Sequence, residues 1–135
     1  MDTTAQPAYG FKKVVPLPVD EADLRVREEL QREGFGVLTE IDVRATMKKK
    51  LDVEFKPYKI LGACNPPLAH QALTAEEDIG LLLPCNVVVY EGDAEGTSVV
   101  AAINPQVQLG ITGREDIEPL AEEVGLRLKR VLNAL

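Results

Sequence analysis

Apolar positions along the 135-residue chain recur with a period of two in some segments and of three to four in others. Each change of period predicts a change of element. Between Gly10 and Pro16, Phe11, Lys13 and Val15 alternate with Lys12 and Val14, which predicts a first strand closed by Pro16 and Pro18. A helix over 20–34 follows. Asp20 is its expected N-cap, Val19 and Leu24 have the spacing of a hydrophobic staple, and Ala22, Val26 and Leu30 run down one face to a terminating Gly34. Phe35, Val37, Thr39 and Ile41 predict a second strand, after which Asp42 caps a short helix carrying Val43, Met47 and Leu51. A third strand spans 57–64. Asn65-Pro66-Pro67 opens another short helix, running past His70 and Leu73 to Glu76-Glu77-Asp78. Cys85 to Glu91 and Thr97 to Ile103 are strands joined by the turn-forming Gly92-Asp93-Ala94-Glu95-Gly96. Residues 104–112 read as a loop. A last helix over 116–133 is capped by Asp116 and striped by Ile117, Leu120, Ala121, Val124, Leu128, Val131 and Leu132.

Strand, helix, four strands, helix is the order of a two-layer α+β domain with a mainly antiparallel five-stranded sheet, both long helices on one face, and short helices inserted. The domain is expected to span 10–135, behind a polar tail at 1–9. Val87 to Tyr90 and Val99 to Ile103 do not alternate, so both faces of those strands need cover. The short helices supply part of it, and a second copy of the chain is expected to supply more, as a homodimer.

Charge narrows the partners. A net charge of −7 argues against broad binding to nucleic acid or anionic membrane. The longest near-apolar run, 79–90, falls short of the ~20 residues of a membrane span, and the first residues lack the pattern of a secretory signal. Two cysteines make no disulfide framework and fit a cytoplasmic setting. Lys48, Lys49 and Lys50, with Arg44, Lys56 and Lys59 nearby, form a local basic patch that reads as a solvated helix face.

The reactive residue types concentrate in Gly62-Ala63-Cys64-Asn65-Pro66 and Pro84-Cys85-Asn86. Antiparallel pairing of the third and fourth strands brings these to one end of the sheet. Cys64, Asn65, Pro66, His70, Pro84, Cys85 and Asn86 are therefore the candidate ligand or thiol site. The plainer alternative makes both cysteines small apolar core residues and both asparagines turn formers. His70, the only histidine, has no metal-binding spacing to either cysteine, so no metal is expected. No triad, nucleophile elbow or phosphate loop is present, and nothing in the sequence names a cofactor.

The segments Tyr58-Lys59-Ile60-Leu61-Gly62-Ala63-Cys64-Asn65-Pro66-Pro67-Leu68-Ala69 and Ile79-Gly80-Leu81-Leu82-Leu83-Pro84-Cys85-Asn86-Val87-Val88-Val89-Tyr90-Glu91 closely resemble the two signatures of the Domain of Unknown Function 302 family, in the subgroup with a cysteine in both. The resemblance spans roughly residues 10–110. It implies a small helix-grip-like α+β fold and a homodimer, and no established activity, cofactor or catalytic residue. Other branches lack one or both cysteines, so neither thiol serves a function common to the whole family. Two functions follow as expectations: a dimeric module that binds a small ligand or protein partner without catalysis, or a thiol-dependent enzyme using Cys64 with Cys85.

Overall fold

The computed structural model describes residues 6–135, so residues 1–5 of the expected tail lie outside the described residues. Its elements run β1 (Gly10–Val15), α1 (Val19–Arg32), β2 (Gly36–Asp42), α2 (Val43–Leu51), β3 (Tyr58–Cys64), α3 (Pro66–Ala75), a 3₁₀ segment (Glu77–Leu82), β4 (Cys85–Glu91), β5 (Ser98–Ile103), α4 (Pro105–Gly110), a 3₁₀ turn (Glu115–Ile117) and α5 (Glu118–Asn133). The strands form one sheet in the order β1-β5-β4-β3-β2, antiparallel throughout. Consecutive strands β2 to β5 are neighbours, and β1 closes against β5, the arrangement expected of the two-layer α+β plan.

The main core lies between the sheet and α1 and α5. Val26, Leu30, Leu61, Val87, Val89, Val100 and Leu128 are buried there. A second, smaller core gathers Ala72, Ile79, Leu109, Ile117 and Ala121 from α3, α4, the 3₁₀ segments and the start of α5.

The long helices fall close to their expected spans, but their N-termini are built differently. Helix α1 starts at Val19 behind Pro18, whose φ of −65° and extended ψ set the entry, and no side chain caps it. Asp20 stands in the first turn instead, favoured there by the helix dipole. Val19 is buried and Leu24 is exposed, so no staple forms. At the other end the glycine expectation holds. Gly34 has φ +85°, its N–H bonds the Gln31 carbonyl, and the Phe35 N–H bonds the Leu30 carbonyl. This is a Schellman closure, with Phe35 and Leu30 both buried in the main core. Helix α5 begins at Glu118, preceded by a 3₁₀ turn. Asp116 is no cap, because both its carboxylate oxygens are taken by Arg114, at 2.9 and 2.7 Å.

Three other expectations are corrected. Strand β2 does not keep one apolar face: the register shifts between Val37 and Thr39, and Leu38 is left as the extra residue of a bulge. Leu38 and Ile41 are consequently exposed. Helix α2 is capped by Asp42, which accepts from the Ala45 N–H at 2.9 Å, yet it buries none of its stripe. Its Lys48 pairs with Asp52 and Glu54. Residues 105–110 are a helix, α4, rather than loop, with the Asn104 side chain accepting from the Gln106 N–H.

Strand β1 lies at one edge of the sheet. There the Gln6 side-chain amide accepts from the Lys12 N–H at 2.6 Å and donates to the Lys12 carbonyl at 2.8 Å.

Candidate functional site

Strand β3 runs from Tyr58 to Cys64, and the two ends of its helix-facing side differ in chemistry. At the first end Lys59 is surrounded by carboxylates: Asp23 at 3.2 Å, Glu40 at 3.5 Å and Asp20 at 3.7 Å. Arg27 bridges Asp23 at 3.0 Å and Glu40 at 3.2 Å. Burial works against the Lys59 charge, but the hydrogen bond to Asp23 and the fields of Asp23, Glu40 and Asp20 outweigh it and raise its pKa. Asp23 is itself buried, and its two cations compensate its desolvation.

At the second end lies a cavity of about 330 Å³. Its walls come from both cores. Phe35, Ala63, Leu68, Cys85 and Val124 belong to the main core, and Ala72, Leu83, Leu109 and Leu120 to the smaller one. Thr39 beside the β2 bulge, Cys64, Asn65, Ala69, Leu73, Gly80, Pro84 and exposed Leu38 complete it. None of the lining residues carries a formal charge.

The glycine at position 62 shapes this end. A Cβ on Gly62 would lie 2.2 Å from Thr39 Oγ1 and 2.8 Å from Pro84 Cγ. Only a residue without a side chain lets these two wall residues meet across β3.

The candidate residues divide as follows. Cys64, Asn65, Pro84 and Cys85 line the cavity. Cys85 pairs across the ladder with Ala63, beside Cys64, and both cysteines are free. The Cys85 thiol is buried and lies 3.6 Å from Gln108 Oε1, to which it donates. Burial first, and the neighbouring Cys64 second, push its pKa up to about 11. At neutral pH roughly one Cys85 in ten thousand is then a thiolate, the form a nucleophile needs.

Asn65 is a structural clip. Its Oδ1 accepts from the Leu68 N–H and its Nδ2 donates to the Glu33 carbonyl, both at 3.4 Å. Arg127 of α5 donates to the same carbonyl at 2.9 Å. One oxygen thus joins the end of α1, the start of α3 and the body of α5.

Pro66, His70 and Asn86 stand apart from the cavity. Pro66 is exposed at the first position of α3, and His70 is exposed on the same helix outside the cavity wall. Asn86 projects from the sheet face opposite Cys85, beside Tyr58, Val88 and Tyr90. Among the described residues no group of three or more His, Cys, Asp and Glu could hold a metal ion. No helix among them is long and apolar enough to cross a membrane.

Sequence reasoning missed Gln108. Its amide donates to the Leu82 carbonyl and, at 3.3 Å, to that of Pro84, so it ties α4 to the cavity wall while receiving the Cys85 thiol. The signal was available: Asn104-Pro105 opens α4 as Asn65-Pro66 opens α3.

An antiparallel sheet backed by two long helices, with an uncharged cavity where its two cores meet, defines a small single-sheet α+β domain. The chain belongs to the family described as Domain of unknown function DUF302, whose sequence model matches residues 11–135. The crystal structure of an uncharacterized conserved DUF302 protein from Bacillus stearothermophilus is similar. Its TM-score is 0.86 and its sequence identity 29%, over 94% of this chain and 98% of that one. No curated protein matches the chain.

Proposed function

We propose that this chain is a non-catalytic, homodimeric module that holds a small apolar ligand in the cavity between its two cores. The observation that carries the reading is the cavity itself. Its volume of about 330 Å³ falls at the small end of the range for ligand pockets, ~300–1,000 Å³, and its lining is uncharged. In the thiol-dependent alternative, the raised pKa of Cys85 argues against it as the attacking thiol and leaves that part to Cys64. Both cysteines being free fits a reducing compartment such as the cytoplasm.

Support for the dimer comes from the other face of the sheet. Tyr58, Ile60, Val88, Tyr90, Ala101 and Ile103 are only half-buried there, in a chain with a net charge of −7. Lys12, paired across the ladder with Ala101, and Lys56, 4.8 Å over the Tyr90 ring, share this face, and the apolar residues between them suit a two-fold contact.

The test uses a neutral fluorescent probe, N-phenyl-1-naphthylamine, with the purified full chain. Wild type is expected to bind it with enhanced fluorescence. Ala69→Trp, which places an indole in the cavity, is expected to weaken binding at least about tenfold, while circular dichroism stays native. Equal binding by both proteins refutes the cavity as the site.

A further inference from the structure

We infer that the cavity ligand is electrically neutral and largely hydrocarbon, with at most one hydroxyl or carbonyl group, and that this polar group meets Thr39. The inference rests on the ligand-cavity reading above and gives that ligand a chemical class.

Three observations converge on it. First, no lysine or arginine lines the cavity to meet a ligand carboxylate or phosphate, and Arg127, Arg130, Arg114 and Lys59 are already paired. Arg127, on the helix that forms one wall, is held by Glu123 at 2.8 Å and by the Glu33 carbonyl. Arg130 is held by Glu33 at 2.9 Å, and Arg114 by Asp116. Lys59 stands at the opposite end of β3 among its three carboxylates. Second, no carboxylate lines the cavity to receive a ligand ammonium. An unpaired charge moved into such a lining costs far more than a neutral polar group does.

Third, the polar groups of the lining are mostly spent. The Asn65 amide is used at both ends, and the Cys85 thiol donates to Gln108. Thr39 is the exception. Its hydroxyl makes no side-chain hydrogen bond among the described residues, and the exposed side chain lies over Gly62 where the cavity wall meets solvent, beside the bulge. A hydroxyl both donates and accepts, so it suits an alcohol or a ketone equally.

The class is tested by displacing the bound neutral probe from the full chain at pH 8 with three ligands of equal chain length: 1-decanol, decanoate and decyltrimethylammonium. Decanol is expected to displace at concentrations at least about tenfold below either ion. Octanol, nonanol and decanol should tighten about fourfold per methylene. Thr39→Val should weaken decanol several-fold more than it weakens the probe. If decanoate or the ammonium matches decanol, the neutral class is wrong, although the cavity stands. An unchanged decanol affinity in Thr39→Val overturns the assignment of the polar group to Thr39. If the probe fails to bind wild type, or binds Ala69→Trp equally, the ligand-cavity reading falls and takes this inference with it.

Discussion

Strand β3 begins among charges and ends among hydrocarbon, and the two ends solve the problem of burial in opposite ways. Around Lys59 each buried charge has a partner within 4 Å, so Coulombic pairing fixes the geometry there, and the space beside it is an open polar cleft of about 500 Å³ walled by Asp20, Asp42, Arg44 and Glu91. Around Cys64 and Cys85 no charge requires a partner, and space remains where side chains of two cores meet without filling the seam. The seam opens to solvent past Leu38 and Leu73, and its uncharged lining is what separates it from the polar cleft at the Lys59 end. On the proposed reading, one end holds the fold together and the other receives the ligand.

The largest expected effect breaks the charged end. Lys59→Met leaves Asp23 buried with Arg27 alone, and we expect a loss of about 2–3 kcal/mol in urea denaturation, with the probe still binding in the cavity. The double variant Lys59→Met/Asp23→Asn should recover part of the loss. A neutral outcome for Lys59→Met would mean that the pairing contributes little and that the contrast between the ends is false.

A smaller loss is expected at the cavity end. Gly62→Ala forces Thr39 and Pro84 apart, an overpacking worth about 1–3 kcal/mol, and it should also weaken probe binding because both displaced residues are wall residues. Loss of stability with unaltered binding would separate Gly62 from the cavity.

The smallest effect distinguishes the ends by alkaline titration. The folded pKa of Cys85 is raised from 9.0 to about 11, so the unfolded chain gives up this proton first and stability falls as pH rises above 9. Lys59 is also raised, from 10.5, and its contribution is fully present below 10.5 and lost as pH rises through the folded value. Tyr58 and Tyr90, raised mainly by burial, enter from 10.0. Between pH 9 and 10 the cavity end should therefore dominate, costing about 1 kcal/mol. Cys85→Ala should abolish that slope while leaving the steeper loss above pH 10.5.

The sequence displays the elements more fully than it displays the site. The stripes of α1 and α5 are long enough for period to decide, and Gly34 marks its helix end because only a glycine readily takes φ +85°. The β2 bulge escapes a periodic reading, since one extra residue at Leu38 moves every later side chain to the other face. The same alternation explains Asn86. Adjacent strand residues point to opposite faces, so Cys85 and Asn86 do not share a spot even though they share a motif. Cys64 escapes that rule because it ends its strand and lies against the start of α3. The cavity itself was not legible, because it depends on how two cores meet, and no residue carries that information alone.

The Gln6 amide at β1 has a bearing on how copies of this chain avoid one another in the wrong geometry. An edge strand presents unpaired N–H and C=O groups that another strand can join, and such joining propagates into aggregates. At Lys12 both groups are already answered by a single primary amide from the same chain, which imitates one peptide unit of a neighbouring strand and then stops. The chain thus carries its own terminator for sheet growth at this position. Strand addition is discouraged there.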